Sequence, residues 1–498
     1  MKRAVGIGVK LILFLIVVAL SIGLVDRVLM AKYLYDQSEP QTETYEGFYG
    51  MKRNTVDVLI LGSSHAACGF NPQDLYDRAG IRSYNLSCSS QTIWKSYYWL
   101  KEALRYQSPS VVVLDCYYWF ESDGDSEPAA RKALDSMQAG EIKYEAVKTA
   151  IEKDRHSDQS ALSYFLPFIR YHSRWKELKE GDFYALNGVE KPSQLKGFWI
   201  YHRTQTGSKY KPLKKLISDE PAAIDPDALE YMDKILELCR ENDIHLVLVK
   251  TPLSSFRAPQ HTAVQAFAEE HGLSFYDFND AALYEACGFV FNHDMDDFSK
   301  TNAHANPSGA RKMSYFLADE LLQSGWVEPH EDEQWSGTRL FNDNTYKDFQ
   351  LRNETNLDTY LELIDDDRYT VFIVAKDEAS TAMTSHTKVL LSDLGLQASW
   401  DDAYRCSYAA IIDRGTVTFE EMSPELIAYS TSFRNGLSTV QLESAGHLVG
   451  NRCSVRIDGQ ERTKSKRGLN FVVYNNERRR VIDCVRFDTF SEGSPASR

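Results

Sequence analysis

The sequence predicts an α/β protein built on a doubly wound parallel sheet, behind an N-terminal apolar helix and ahead of a β-rich α+β domain. Three observations point there. Val56-Asp57-Val58-Leu59-Ile60-Leu61 is a nearly continuous apolar run rich in branched residues, the pattern of a strand buried on both faces. Such runs alternate with helical patterns between residues 54 and 326, as parallel crossover units require. Finally, residues 11–25 are uncharged and mostly apolar behind Lys2, Arg3 and Lys10.

With 498 residues the chain exceeds what one core serves, so several domains are expected. A net charge of −15 repels nucleic acid and anionic lipid at long range; no nucleic-acid partner is expected. The eight cysteines include no C-x-x-C pair, and no metal or cofactor is expected. Three lie in the last hundred residues, where one bridge is open to them in an oxidising compartment.

Residues 1–26 read as a cytoplasmic tip and membrane anchor. Fifteen apolar residues fall short of a span of about 20, but residues 4–9 extend the segment if Lys10 snorkels to the head groups. A cleaved signal peptide is the alternative, and no A-x-A-like site follows. Either way Lys2 and Arg3 stay in the cytoplasm and the bulk of the chain lies outside it. Residues 27–53, polar and rich in Tyr, Glu and Gln, read as a stalk.

Within 54–326, strands are expected at 56–61, 81–86, 111–114, 244–249 and 273–277. Helices are expected from 71, at 92–106, 227–242 and 261–271, and from Pro307 to 324. Residues 117–221 break the rhythm and read as an insertion that shapes access to the sheet. The acidic run 327–336 reads as a linker. A second domain follows over 337–491, with strands at 370–374, 407–412, 453–457 and 469–474 around a helix at 384–394, and residues 492–498 form a tail.

Ligands in open α/β sheets bind beyond the carboxyl ends of the strands. Ser64, in the small turn that ends the first strand, is therefore the candidate nucleophile; the alternative is that Gly62 to Ser64 only turn the chain. A serine needs a base, and histidine suits that role near neutrality. His304 stands out among twelve histidines because Asp294, Asp296 and Asp297 precede it and Asn306-Pro307-Ser308-Gly309 opens the last helix. Its loop is expected at the same sheet edge as Ser64.

Taken together, these segments resemble the SGNH or GDSL hydrolases. Gly62-Ser63-Ser64-His65 is similar to the first block, with Ser63 where the family has aspartate. Asn85-Leu86-Ser87-Cys88-Ser89-Ser90-Gln91-Thr92 resembles the second, with Ser90 in place of a glycine. The region from Asp297 to Gly309 resembles the last. The resemblance implies a flavodoxin-like sheet, catalysis by Ser64 and His304 with Asp297 as acid partner, and an oxyanion hole from Ser64, Ser90 and Tyr117. His65 and Asn306 are expected to contact substrate. Two departures stand out. The third block's asparagine is missing from Val111-Val112-Val113-Leu114-Asp115-Cys116-Tyr117-Tyr118, and Thr301 occupies the usual acid's position, leaving Asp297 or a Ser–His dyad.

An anchored SGNH body resembles the DltD-like proteins of envelope polymer acylation. That implies an acyl esterase or O-acyltransferase acting on cell-envelope polysaccharide or teichoic acid, with the bilayer and a membrane acyl-transfer protein as partners. The alternative is an inactive SGNH-fold scaffold that binds glycan. In the second domain, Tyr369-Thr370-Val371-Phe372-Ile373-Val374-Ala375-Lys376-Asp377, Tyr404-Arg405-Cys406-Ser407-Tyr408 and Arg467-Gly468-Leu469-Asn470-Phe471 occur in the order of the ILEI/PANDER-like domains. That resemblance implies a compact glycan-binding module. Lys376, Asp377 and Asp488 also read as strand-end charges paired within the domain.

Overall fold

Five strands, β1 (Val58–Leu61), β2 (Ser83–Asn85), β3 (Val111–Asp115), β4 (His245–Lys250) and β5 (Ser274–Asp277), form one sheet. All neighbours are parallel, in the order β2-β1-β3-β4-β5. This computed structural model describes residues 2–32, 41–121, 123–154, 159–178, 180–183, 193–205, 207–296, 303–491 and 496–498. The chain divides into two units, Met1–Asn342 and Asp343–Arg498.

Alternation along the strands explains why both sheet faces are covered. Leu59, Leu61, Val112 and Leu114 enter one core, while Val58, Ile60, Val111 and Val113 enter another. Each such side chain contributes at most about 1.5–3 kcal/mol on burial. The helices between strands start and stop on local signals. Asn71 caps Pro72–Ala79, which ends at Gly80 with φ +68°; Asp225 caps Pro226–Glu241; Asn306 caps Pro307–Gln323. Proline follows each of these caps directly, where its missing N–H costs nothing.

At the N-terminus, Lys2–Leu29 is one helix, and Ile7–Leu29 is long and apolar enough to cross a membrane. A signal sequence meets the same criterion. The expected stalk is corrected in part. Residues 41–49 form the helix Gln41–Tyr49, whose Tyr45 and Phe48 are fully buried, and Tyr45 stacks on Trp99 at 4.1 Å. Aromatic residues three apart share one helix face, and that face joins the core. The expected linker is also corrected. His330 N–H donates to the Gly80 carbonyl at 2.9 Å, Asp332 N–H to Tyr76 Oη at 2.7 Å, and Trp335 is fully buried. The division instead falls within the helix Arg339–Asn353.

The second unit is a nine-stranded sheet. Its strands are β6 (Tyr369–Asp377), β7 (Ser407–Asp413), β8 (Thr416–Ser423), β9 (Ile427–Phe433), β10 (Ser438–Gly446), β11 (Arg452–Ile457), β12 (Gln460–Glu461), β13 (Gly468–Asn475) and β14 (Arg480–Phe487). The main path runs β12-β11-β10-β6-β13-β14, with β7 beside β6, β8 beside β7 and β9 beside β10. Only the β6–β10 pair is parallel. The helix Ser385–Asp393 lies where it was expected.

Candidate active site

The ends of β1 and β3 meet at the turn that carries Ser64. Gly62 leaves β1 with φ +150°, and a Cβ there would stand 2.5 Å from Asp115 Cβ at the end of β3. Only glycine lets the two strand ends approach so closely. Ser63 caps the short helix Ser64–Gly69 by accepting from His65 N–H at 3.2 Å, and donates its own hydroxyl to Asp115 Oδ2 at 2.6 Å. Ser64 is thus the first residue of a helix anchored on both sides, and its side chain is half-buried.

His304 arrives on a loop that doubles back. Met295 and Ala305 pair as an antiparallel bridge, Asp296 N–H donates to the His304 carbonyl at 2.8 Å, and His304 N–H donates to Asp296 Oδ1 at 2.9 Å. The result places His304 Nε2 2.9 Å from Ser64 Oγ, within hydrogen-bonding distance. On the far side of the ring, Asp296 Oδ2 lies 3.8 Å from Nδ1. The carboxylate facing the histidine therefore comes from Asp296, eight residues upstream; Asp297 lies outside the described residues.

At 3.8 Å that pair has ion-pair reach but exceeds a hydrogen bond, so the acid alone does not hold the ring. A stack does. His304 lies between His65, with centroids 4.6 Å apart and planes 19° apart, and Tyr201, at 5.0 Å and 19°. Tyr117 covers the other face of His65 at 4.6 Å. His65 is buried, so this residue, expected at the substrate, stacks on the His304 ring instead. Asn306, also expected there, is fully buried. Its amide donates to the carbonyls of His293 at 2.7 Å and Arg203 at 3.2 Å, and its Oδ1 accepts from Ser308 N–H and Gly309 N–H. Those bonds secure the histidine loop and cap the last helix.

Ser90 has φ +59°, the left-handed conformation that glycine adopts at least cost. Its loop is tied to the nucleophile turn by Cys88 N–H, which donates to the Gly62 carbonyl at 3.3 Å. Asn85 Nδ2 reaches the Ala66 and Phe70 carbonyls at 2.9 Å each.

Sequence reasoning missed the charges beneath the site. Asp115, Lys250 and Asp277 end β3, β4 and β5 and are all buried. Burial pushes the Lys250 pKa down, against the pull of Asp115 and Asp277. Its Nζ lies 5.3 Å from the Tyr117 ring centre, and Asp277 Oδ2 lies 2.7 Å from His261 Nδ1. The signal was present, since each apolar run closes on a charged residue at the same edge. Chemically, a half-buried hydroxyl against an imidazole with a carboxylate behind it suits nucleophilic attack assisted by general-base catalysis.

Residues 336–416 match the ILEI family, described as interleukin-like EMT inducer. No curated protein matches the chain. Among solved structures, a gut microbial diltiazem-metabolizing enzyme, BT4096, is 11% identical, with a TM-score of 0.15 over 80% of this chain and 58% of that one. That likeness is too slight to bear on fold or function. The chain spans just over half the length of that protein.

Proposed function

We propose that the first unit is an SGNH-like serine acyl esterase or O-acyltransferase of the cell envelope, anchored by the helix Lys2–Leu29, with polysaccharide or teichoic acid as its polymer. The observation that carries this reading is the 2.9 Å contact between Ser64 Oγ and His304 Nε2. The parallel order β2-β1-β3-β4-β5 supports it, being the flavodoxin-type order whose crevice lies at the strand ends. In the reaction, Ser64 Oγ attacks the ester carbonyl while His304 Nε2 takes the hydroxyl proton. His304 returns that proton to the departing alkoxide, leaving an acyl-serine. Water or a polymer hydroxyl then accepts the acyl group by the reverse proton transfers. Asp296 offsets the charge of the imidazolium. The N–H groups of Ser64 and Ser90 serve as oxyanion donors, each worth about 10²–10³ in rate. The ILEI-like unit binds the polymer, and a membrane acyl-transfer protein supplies acyl groups when transfer prevails.

The test is covalent labelling of the purified chain by a fluorophosphonate. Labelling of the wild type that falls by about 10⁴-fold or more in both Ser64→Ala and His304→Ala is the expected result. An unlabelled wild type replaces this reading with that of a non-catalytic glycan-binding scaffold.

A further inference from the structure

The insertion carries a surface that the Ser64 chemistry does not use. Residues 162–183 carry Arg170, Arg174, Lys176 and Lys179 against Glu177, Glu180 and Asp182, a slightly basic stretch in a chain of net charge −15. Leu162, Ile169, Trp175 and Phe183 are exposed, Trp175 by 64%, and Trp175 is the one exposed tryptophan among the described residues. Apolar side chains clustered at the surface mark a contact with something else.

Their attachment says what that is. The short elements Phe168–Tyr171, His172–Lys176 and Glu180–Phe183 pack against the apolar helix Lys2–Leu29, and the bonds fall at its C-terminal end. Arg174 Nη1 donates to the carbonyls of Leu29 at 2.6 Å and Met30 at 2.9 Å, filling acceptors that a helix end leaves open. Phe168 N–H donates to Asp26 Oδ1 at 2.6 Å. A helix of 28 residues is about 42 Å long, against a hydrocarbon core of about 30 Å. When it spans, its last turns lie among the head groups, and so does the segment bonded to them. Tryptophan beside arginine and lysine is the composition that layer favours.

We propose that Leu162, Ile169, Trp175 and Phe183, with Arg170 and Lys176, form a platform that inserts into the head-group layer of the bilayer beside the exit of the helix. The platform rests on the reading of that helix as a retained span. The chain's acidity opposes approach to anionic lipid, and Arg170 shares its charge with Glu127 at 3.1 Å, but tethered cations led by Lys176 meet the phosphates of zwitterionic lipid within a Debye length, about 8–10 Å.

The experiment uses the full chain in nanodiscs of phosphatidylcholine brominated at shallow or deep acyl positions, reading tryptophan fluorescence in wild type and Trp175→Phe. The apolar helix contains no tryptophan. The expected result is stronger quenching by shallow than by deep bromines, with at least half of it lost in Trp175→Phe and again in the double variant Arg170→Glu/Lys176→Glu. Absent quenching, or quenching unchanged by Trp175→Phe, overturns the platform. Intact mass separates this from the fate of the helix. If the isolated chain begins beyond Leu29, the anchor reading falls and the platform that rests on it falls too; with the helix retained, the quenching alone decides the platform.

Discussion

The two units handle buried charge in opposite ways. In the first, burial lowers the pKa of Lys143 to about 8, of Lys196 to about 7, and that of Lys250 as well. In the second, Asp366, Glu378, Glu461 and Asp488 sit below their usual values; partial burial would raise them, but hydrogen bonds and nearby arginines more than compensate. Asp483 is the exception there, raised by burial against Arg498. A parallel sheet brings strand ends together at one edge under covering loops, so charges such as Asp115 and Lys250 are desolvated at the edge that carries Ser64. The mixed, mostly antiparallel sheet leaves its strand-end charges where partners reach them. Lys376 donates to the Ser465 carbonyl, Asp377 meets His447 at 3.3 Å, and Asp488 binds Arg467 and Arg486. Electrostatic tension of the kind that reactive sites use is concentrated in the first unit.

The contrast can be broken most forcefully at the Gly62 turn. Gly62→Ala forces a Cβ against Asp115 at a backbone angle that alanine resists, and should cost the first unit about 3 kcal/mol or more. It should also abolish fluorophosphonate labelling; chemical denaturation that shows an unchanged first unit contradicts the close packing of β1 and β3. Asp296→Asn should slow labelling by about 10²-fold, equivalent to about 2.7 kcal/mol. That is less than loss of the histidine, because the ring stack still orients His304; a null effect removes Asp296 from the machinery. His65→Ala should slow labelling by about tenfold and His65→Phe should restore most of it, since a phenyl ring retains the stack. Equal rates for the two variants contradict that role.

pH sharpens the same contrast. Lys196 holds its proton in the unfolded chain to about pH 10.5 but loses it near 7 when folded. The unfolded state therefore binds more protons between those values, and stability rises with pH across that window. Unfolding midpoints from pH 7 to 10 should show this rise weakened in Lys196→Met. In the second unit the slope has the same sign but falls in the acid range. Carboxylates held low contribute stability above their unfolded values and lose it as pH falls through their folded ones, so acidification below about pH 4 should loosen this unit. The smallest effect belongs to Arg467→Ala. Its side chain is 37% exposed, and an exposed pair contributes under about 1 kcal/mol; labelling of Ser64 should not change.

Local sequence determined a great deal of this protein. The five sheet strands, the capped helices that begin at Pro72, Pro226 and Pro307, the apolar N-terminal helix and the candidates Ser64 and His304 are all legible, because apolar periodicity and capping residues act within a few positions. In the second unit β8, β9, β10, β12 and β14 escaped notice, since solvent-facing residues interrupt their apolar runs. Tertiary structure alone decided the rest. Asp296 faces His304 because the loop pairs Met295 with Ala305, an arrangement no spacing rule encodes. His65 became a stacking partner, and Asn306 a buried clamp, only once separate loops met at one edge. A polar-looking stalk joined the core because Tyr45 found Trp99 more than fifty residues away. Local propensity acts through neighbours in the chain, whereas a reactive constellation is made by groups that only the closed fold brings within hydrogen-bonding reach.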